Sequence, residues 1–295
     1  MRHFPASELL INADGSIFHL HLKPEQLADS ILLVGDPGRV DMIAGLMDAV
    51  ECRVANREFV STTGSYNGKR ITVVGTGIGS DNIDIVINEL DALANIDLET
   101  RLEKPVKRTL DLIRIGTCGG LQPDLPPGTF LVSEKSISFD GLLHFYRGTE
   151  TIRDRLFEEA FLKHMNWPSS FNYPCVVTAD EGLVRQLGDT AFKQGVTITA
   201  NGFYGPQGRE LRIPLAKPDM NERLGSFCYN DYRITNYEME SSAVAGLSAL
   251  LGHRAVTVCL VIANRLSTQV NVDYQSAMLS LVTTVLDRLY SHSHE

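Results

Sequence analysis

Arg114 is a charge in an apolar setting. It interrupts the run from Leu110 to Ile115, which otherwise reads as a buried strand. A guanidinium there is costly to bury unless a partner neutralises it. An oxyanion gripped bidentately is one such partner and a structural carboxylate is another, and this residue alone leaves both open. Thr117, three residues on, adds a hydroxyl donor. Two further arginines stand at strand edges: Arg39, after the turn Gly35-Asp36-Pro37, and Arg57, in Asn56-Arg57-Glu58-Phe59. Glycine turns that open helices present backbone N–H groups and the positive end of the helix dipole, which suits an anion. Such turns occur at Gly35 and at Gly75-Thr76-Gly77-Ile78-Gly79. The second does not have the GxGxxG spacing of a dinucleotide site, and either turn by itself is equally consistent with packing.

The elements that must position these residues follow from pattern. Ile31 to Val34 is a compact apolar strand, and Pro37 opens a helix carrying Val40, Ile43 and Leu46. Arg53 to Tyr66 and Arg70 to Thr76 flank Asn67-Gly68, a dipeptide that favours the positive backbone angles of a tight hairpin, so two antiparallel strands are expected. Asp81 is expected to cap the helix that runs through Leu90 and Leu93. The charged stretch from Asp97 to Arg108 reads as a surface insertion or a short extra helix. Further strands are expected at 128–134, 175–178, 196–200 and 255–262, with helices around 153–165, 182–193, 219–229 and 240–251 and a closing helix from Asp273 to Leu289. This alternation predicts an α/β fold with a central, partly parallel sheet covered by helices. With no repeat or Gly/Pro/Ser-rich linker in view, residues 1–295 are expected to form a single domain.

Composition narrows the partners. A length of 295 residues with 43% hydrophobic content allows a large core without disulfides or metal. The net charge of -9 disfavours nucleic acid and anionic membrane as partners and favours a small molecule. Five cysteines form no CxxC pair and several lie in apolar runs, which fits a reducing, cytoplasmic setting. The first residues lack the apolar core of a signal peptide, and no apolar run reaches the roughly 18 residues of a membrane helix.

Across most of its length the chain resembles the phosphate-dependent nucleoside phosphorylases of the single-domain α/β type. The matching segments, in order, are Phe18-His19-Leu20, Val34-Gly35-Asp36-Pro37-Gly38-Arg39-Val40, Arg57-Glu58-Phe59, Thr76-Gly77-Ile78-Gly79, Arg114-Ile115-Gly116-Thr117, Phe203-Tyr204-Gly205-Pro206-Gln207-Gly208-Arg209, Tyr237-Glu238-Met239-Glu240-Ser241 and Asn264-Arg265. The resemblance implies a three-layer α/β/α fold with a central mixed sheet. It assigns phosphate binding to Gly35, Arg39, Arg114 and Thr117, with Arg57 reaching in from a neighbouring subunit. His19 would likewise cross the subunit interface, to the ribose 5′-hydroxyl. Glu240 would accept from the ribose 2′- and 3′-hydroxyls, as an acceptor-only carboxylate can, while Met239 packs on the sugar. Taken alone, the acids of Glu238-Met239-Glu240 would also suit an ordinary helix start.

For the base, the resemblance implies stacking on Phe203 and recognition by Gln207, whose amide offers a donor beside an acceptor, and by Arg209. Outside that context the same stretch reads as a Gly/Pro loop. Purine-cleaving relatives carry an aspartate after the late strand, whereas this chain has Asn264-Arg265, and Arg265 would stabilise a uracil leaving group. The implied reaction is phosphorolysis of a pyrimidine nucleoside, with uridine foremost. Phosphate is then a co-substrate, and neither cofactor nor metal is needed. Shared sites imply a homo-oligomer, a dimer or a hexamer. Ser80-Asp81-Asn82 departs from the family's usual glycine, proline and serine, which puts its monovalent-cation site in question. Other classes remain: purine phosphorolysis, nucleoside hydrolysis, a nicotinamide-dependent dehydrogenase that the glycine spacing disfavours, and a non-catalytic nucleoside-binding protein.

Overall fold

The computed structural model describes residues 2–188, 190–267, 270 and 273–290. The chain runs β1 (Ser30–Val34), α1 (Pro37–Ala44), β2 (Ala49–Asn56), β3 (Phe59–Tyr66), β4 (Lys69–Gly75), α2 (Ser80–Asn95), β5 (Ile96–Asp97), β6 (Leu102–Glu103), β7 (Asp111–Gly120) and β8 (Phe130–Ser138). It continues α3 (Arg155–Met165), β9 (Cys175–Thr178), α4 (Glu181–Leu187), β10 (Phe192–Thr199), α5 (Met220–Ser226), β11 (Cys228–Tyr229), β12 (Tyr232–Glu238), α6 (Ser241–Leu251), β13 (Arg254–Asn264) and α7 (Gln275–Tyr290).

Eleven strands form one mixed sheet in the order β11-β12-β10-β8-β13-β7-β1-β4-β3-β2, with β9 added beside β8. Strand β1 lies parallel to both β4 and β7, and β7 is parallel to β13. These strands alternate between two cores, as buried parallel strands must. Ile31 and Leu33 pack with α2 and α6 on one face, whereas Leu32 and Val34 pack with α1, α4 and α7 on the other. That alternation is the three-layer α/β/α arrangement. Near its C-terminal end β7 also pairs antiparallel with β12, through Gly119 and Gly120, so this half of the sheet curls back on itself. The consequence is functional: the ends of β1, β7, β12 and β13 converge.

Several local expectations change. The stretch from Arg53 to Tyr66 is two strands, because Arg57 takes φ +52° and turns the chain between β2 and β3. The expected turn at Asn67-Gly68 is present, both residues having positive φ. Asp81 is not a cap; Gly79 holds the cap position of α2, at φ +101°, and Asp81 lies in the first turn. The 97–108 segment contains no helix; β5 and β6 pair there as a small antiparallel ribbon. The helix expected over 182–193 stops at Leu187, since Phe192 already begins β10. No helix among the described residues is long and apolar enough to cross a membrane.

Candidate active site

A cavity of about 810 Å³ opens where those strand ends converge. Gly35, at the end of β1, lines it, and Pro37 starts α1 immediately after, with the Asp36 carboxylate accepting the Gly38 amide hydrogen at 2.9 Å as the helix cap. Arg39, in the first turn of α1, is buried and donates from Nη1 to the Ile115 carbonyl at 3.1 Å. In the β1–β7 register Leu33 faces Arg114 and Val34 faces Ile115, which brings the two guanidiniums to one end of the cavity. Thr117 lies on the same strand and lines the same wall.

Arg114 has carboxylate partners after all. Its Nη2 donates to the Glu240 carboxylate, and its Nε lies 3.5 Å from Glu238 Oε2. Both sequence readings of Arg114 therefore meet in one residue: it is bridged to acids and it lines a cavity. Among the described residues its Nη1 and Nε, fully buried, have no hydrogen-bond partner. Orphaned N–H groups of a buried cation are what an incoming oxyanion satisfies.

The two acids differ. Glu238, at the end of β12, is saturated: it accepts from Thr199 Oγ1, from Ser241 N and Oγ, and from Glu240 N, all within 3.0 Å. It ties β12 to the start of α6 and was not singled out by sequence. Glu240 occupies the cap position of α6 and accepts the Gly79 amide hydrogen on Oε1 at 2.7 Å, which joins the start of α2 to the same site. Burial, together with the nearby Glu238 charge and against the pull of Arg114, pushes the Glu240 carboxyl above its ordinary range.

Opposite stands the loop after β10. Phe203, Gln207 and Arg209 line the cavity, with a turn of 3-10 helix at Gly205–Gln207. Arg209 stacks 3.8 Å above the Phe203 ring and donates from Nη1 to the Phe203 carbonyl and to Gln207 Oε1, each at 2.6 Å. Gln207 is buried, so its amide orientation is fixed by Arg209. Arg265, one residue beyond β13, donates to the Gly208 carbonyl at 3.2 Å. Met239 completes the wall between Glu238 and Glu240.

Electrostatics single out this cavity. Among the described residues, its guanidiniums other than Arg114 hydrogen-bond only to neutral acceptors. Burial first, then the neighbouring Arg114 charge, pulls Arg39 below its ordinary range. Burial and then Arg265 bring Arg209 down to about 10, and burial lowers Arg265 as well. All remain charged at neutral pH, and an anion in the cavity relieves each.

Two expected residues lie elsewhere. His19 and Arg57 do not line this cavity; they share a patch of surface where the Arg57 guanidinium sits 5.1 Å over the Phe18 ring and the Asn56 amide donates to the His19 carbonyl at 2.8 Å. Conversely, Ile78, Tyr237 and Tyr274 line the cavity without having been given a role. Tyr237 is buried with its hydroxyl donating to Asn221 Oδ1 at 3.1 Å. It is the penultimate residue of β12, directly before the acids and Met239 that also line the cavity, and its place in that segment of the family resemblance is the one signal that could have found it. A second cavity of about 720 Å³ lies behind the loop, lined by Tyr204, Pro206 and Arg209 among others.

Comparison with known proteins agrees with this geometry. Residues 29–288 match the family model described as the phosphorylase superfamily. The chain is 31% identical over 264 residues to a uridine phosphorylase of Salmonella typhimurium, covering 86% of this chain and 88% of that protein. It is 29% identical over 277 residues to a uridine phosphorylase of Thermococcus kodakarensis, covering 90% of this chain and 84% of that one. Among solved structures it resembles a Trypanosoma brucei nucleoside phosphorylase described as showing uridine phosphorylase activity, with a TM-score of 0.84 and 30% identity over 96% of this chain and 100% of the other. Ordered motifs, three-layer fold and convergent strand ends together make the chain a member of the phosphorylase superfamily.

Proposed function

We propose that this chain catalyses the phosphorolysis of uridine, giving uracil and ribose 1-phosphate. The observation that carries the reading is one cavity with a guanidinium pair at each end, Arg39 with Arg114 and Arg209 with Arg265, and the Glu240 carboxylate beside Met239 on its wall. Phosphate fits the first pair, supported by the orphaned N–H groups of Arg114 and by Thr117 and Gly35. Glu240 then accepts from the ribose hydroxyls, Gln207 and Arg209 read the uracil edge, and Phe203 stacks on it.

In the reaction the C1′–N1 bond breaks, a phosphate oxygen bonds to C1′, and uracil departs as an anion that then takes up a proton. Arg114, Glu240 and Arg265 are the catalytic residues: they hold the nucleophile, the sugar and the leaving group. Catalysis is positioning and charge stabilisation without a covalent intermediate. No cofactor enters this scheme.

Pyrimidine over purine is supported by the end of β13, where the chain has Arg265, a cation suited to a uracil leaving group, preceded by Asn264 and no aspartate. The Asn264 side chain is consumed by backbone contacts, donating to the Gln122 and Leu125 carbonyls and accepting from Leu266 N and Ser267 N. A homo-oligomer is supported by the separation of His19 from Glu240. Gly79 holds Glu240, and His19 is held by Glu89, ten residues further along α2, or about 15 Å at the helical rise. One ribose does not span that distance, so His19 and Arg57 serve the cavity of a second copy. Five free cysteines, three of them buried, support a reducing, cytoplasmic setting. Turnover measured across uridine, thymidine, deoxyuridine, cytidine and inosine, each with and without phosphate, tests the reading; turnover of inosine in preference to uridine would overturn the pyrimidine assignment.

A further inference from the structure

Glu89 lies outside the segments that carry the family resemblance and does not line the cavity, yet it gathers three N–H groups from a two-residue stretch near the N-terminus. Its carboxylate accepts the backbone N–H of His19 at 3.0 Å and that of Leu20 at 2.8 Å, and it meets His19 Nδ1 at 2.7 Å. The Glu89 side chain is 13% exposed and that of His19 26%, so the contact is sheltered while an edge of the ring remains open. Among the described residues His19 Nε2 has no hydrogen-bond partner. Arg57, stacked on Phe18 next to it, is exposed.

From this geometry we propose that Glu89 is the positioning residue that fixes the rotamer and tautomer of His19 for substrate bound in the cavity of a second copy, an inference that rests on the role given to His19 above. An ionised carboxylate only accepts, so it holds the proton on Nδ1. The lone pair is then left on Nε2, the ring nitrogen away from Glu89, where it accepts a hydrogen bond from the ribose 5′-hydroxyl. The same carboxylate pins the backbone at His19 and Leu20, so ring position and ring chemistry are set by one group. A carboxylate orienting the outer nitrogen of a histidine is a familiar device at metal and catalytic sites. Here it comes from the middle of α2, the helix whose start holds Glu240 of the same chain through Gly79.

The test compares uridine with 5′-deoxyuridine, which lacks the hydroxyl in question. Wild type is expected to prefer uridine in kcat/KM, and His19→Ala to abolish that preference. Glu89→Gln keeps an oxygen for the backbone N–H groups but presents N–H to Nδ1, reversing the tautomer. It is expected to lower the preference about tenfold, with 5′-deoxyuridine turnover nearly unchanged, and to add nothing in the double variant with His19→Ala. Glu89→Asp, which keeps the charge, is expected to recover part of the preference. If His19→Ala leaves the preference intact, the reading of His19 itself is wrong. If His19→Ala removes it but Glu89→Gln lowers both substrates equally, or neither, Glu89 only holds the segment in place and the inference is overturned. Thermal melts and size-exclusion chromatography of each variant separate these outcomes from loss of folding or assembly.

Discussion

The Arg114 guanidinium donates to the Glu240 carboxylate inside a buried cavity, so the group assigned to phosphate and the group assigned to ribose are in direct contact before substrate arrives. Each needs the other's charge to tolerate burial. Substrate binding then adds acceptors to Arg114 and donors to Glu240 without moving either charge into water.

Replacing Arg114 is therefore expected to act on phosphate most. Arg114→Ala should lower kcat/KM for phosphate at least 100-fold, since it deletes charge-assisted bonds and leaves Glu240 unpaired. Arg114→Lys should recover little, because an ammonium cannot fork between an acid and an oxyanion. Initial rates against phosphate concentration read both.

The pH profile carries a sign. Glu240 works as an ionised acceptor, and its folded-state pKa is raised by burial. Activity should fall as pH drops through a value above the ordinary carboxylate range, so the acid limb of kcat/KM is displaced upward. Glu240→Gln should lower the rate and remove that limb together.

Base recognition should separate from folding at Gln207. Loss of its amide edge is worth about 1 to 3 kcal/mol in a desolvated site, so Gln207→Ala should reduce kcat/KM for uridine roughly 5- to 150-fold. The KM for phosphate should hardly move. A collapse of the thermal melt would instead assign Gln207 a structural role.

Gly208 bounds the base loop at φ +64°, and a Cβ there would sit 2.5 Å from Asn221 Nδ2. Gly208→Ala should cost about 1 kcal/mol in stability or more, visible as a lower Tm, and raise the KM for uridine. Adding Asn221→Ala should return the steric part of that loss and leave the backbone strain.

Mixing subunits tests whether sites are shared. His19→Ala and Glu240→Ala each damage every site in a homo-oligomer. A mixed pair has one site with both residues intact, so unfolding and reassembling the two variants together should restore activity above that of either alone. No gain on mixing would confine each site to one chain.

Much of this cavity was legible in the sequence because its residues are chemically conspicuous. Arg114 in a strand, Arg39 after a glycine turn and the Gln207-Gly208-Arg209 loop all stand out by type, and order along the chain did the rest. Strand β12 was not legible: Thr235 and Asn236 are buried but polar, Thr235 donating to the Val196 carbonyl and Asn236 Oδ1 accepting from Thr197 and Thr235, so the hydrophobic pattern that marks a strand fails there. The turn at Arg57 was hidden because no glycine announces it. The binding partners of Glu238 and Glu89 were hidden for a different reason. What marks these two acids is the backbone N–H groups they gather, and these are brought to them by the fold.

Phosphorus NMR of the reaction products tests the central claim most directly. Uridine incubated with the protein and phosphate should give a ribose 1-phosphate resonance that grows in equal amount with uracil, and without phosphate neither should form. Uracil released at the same rate without phosphate, with free ribose as its companion, would make the protein a hydrolase and contradict the account.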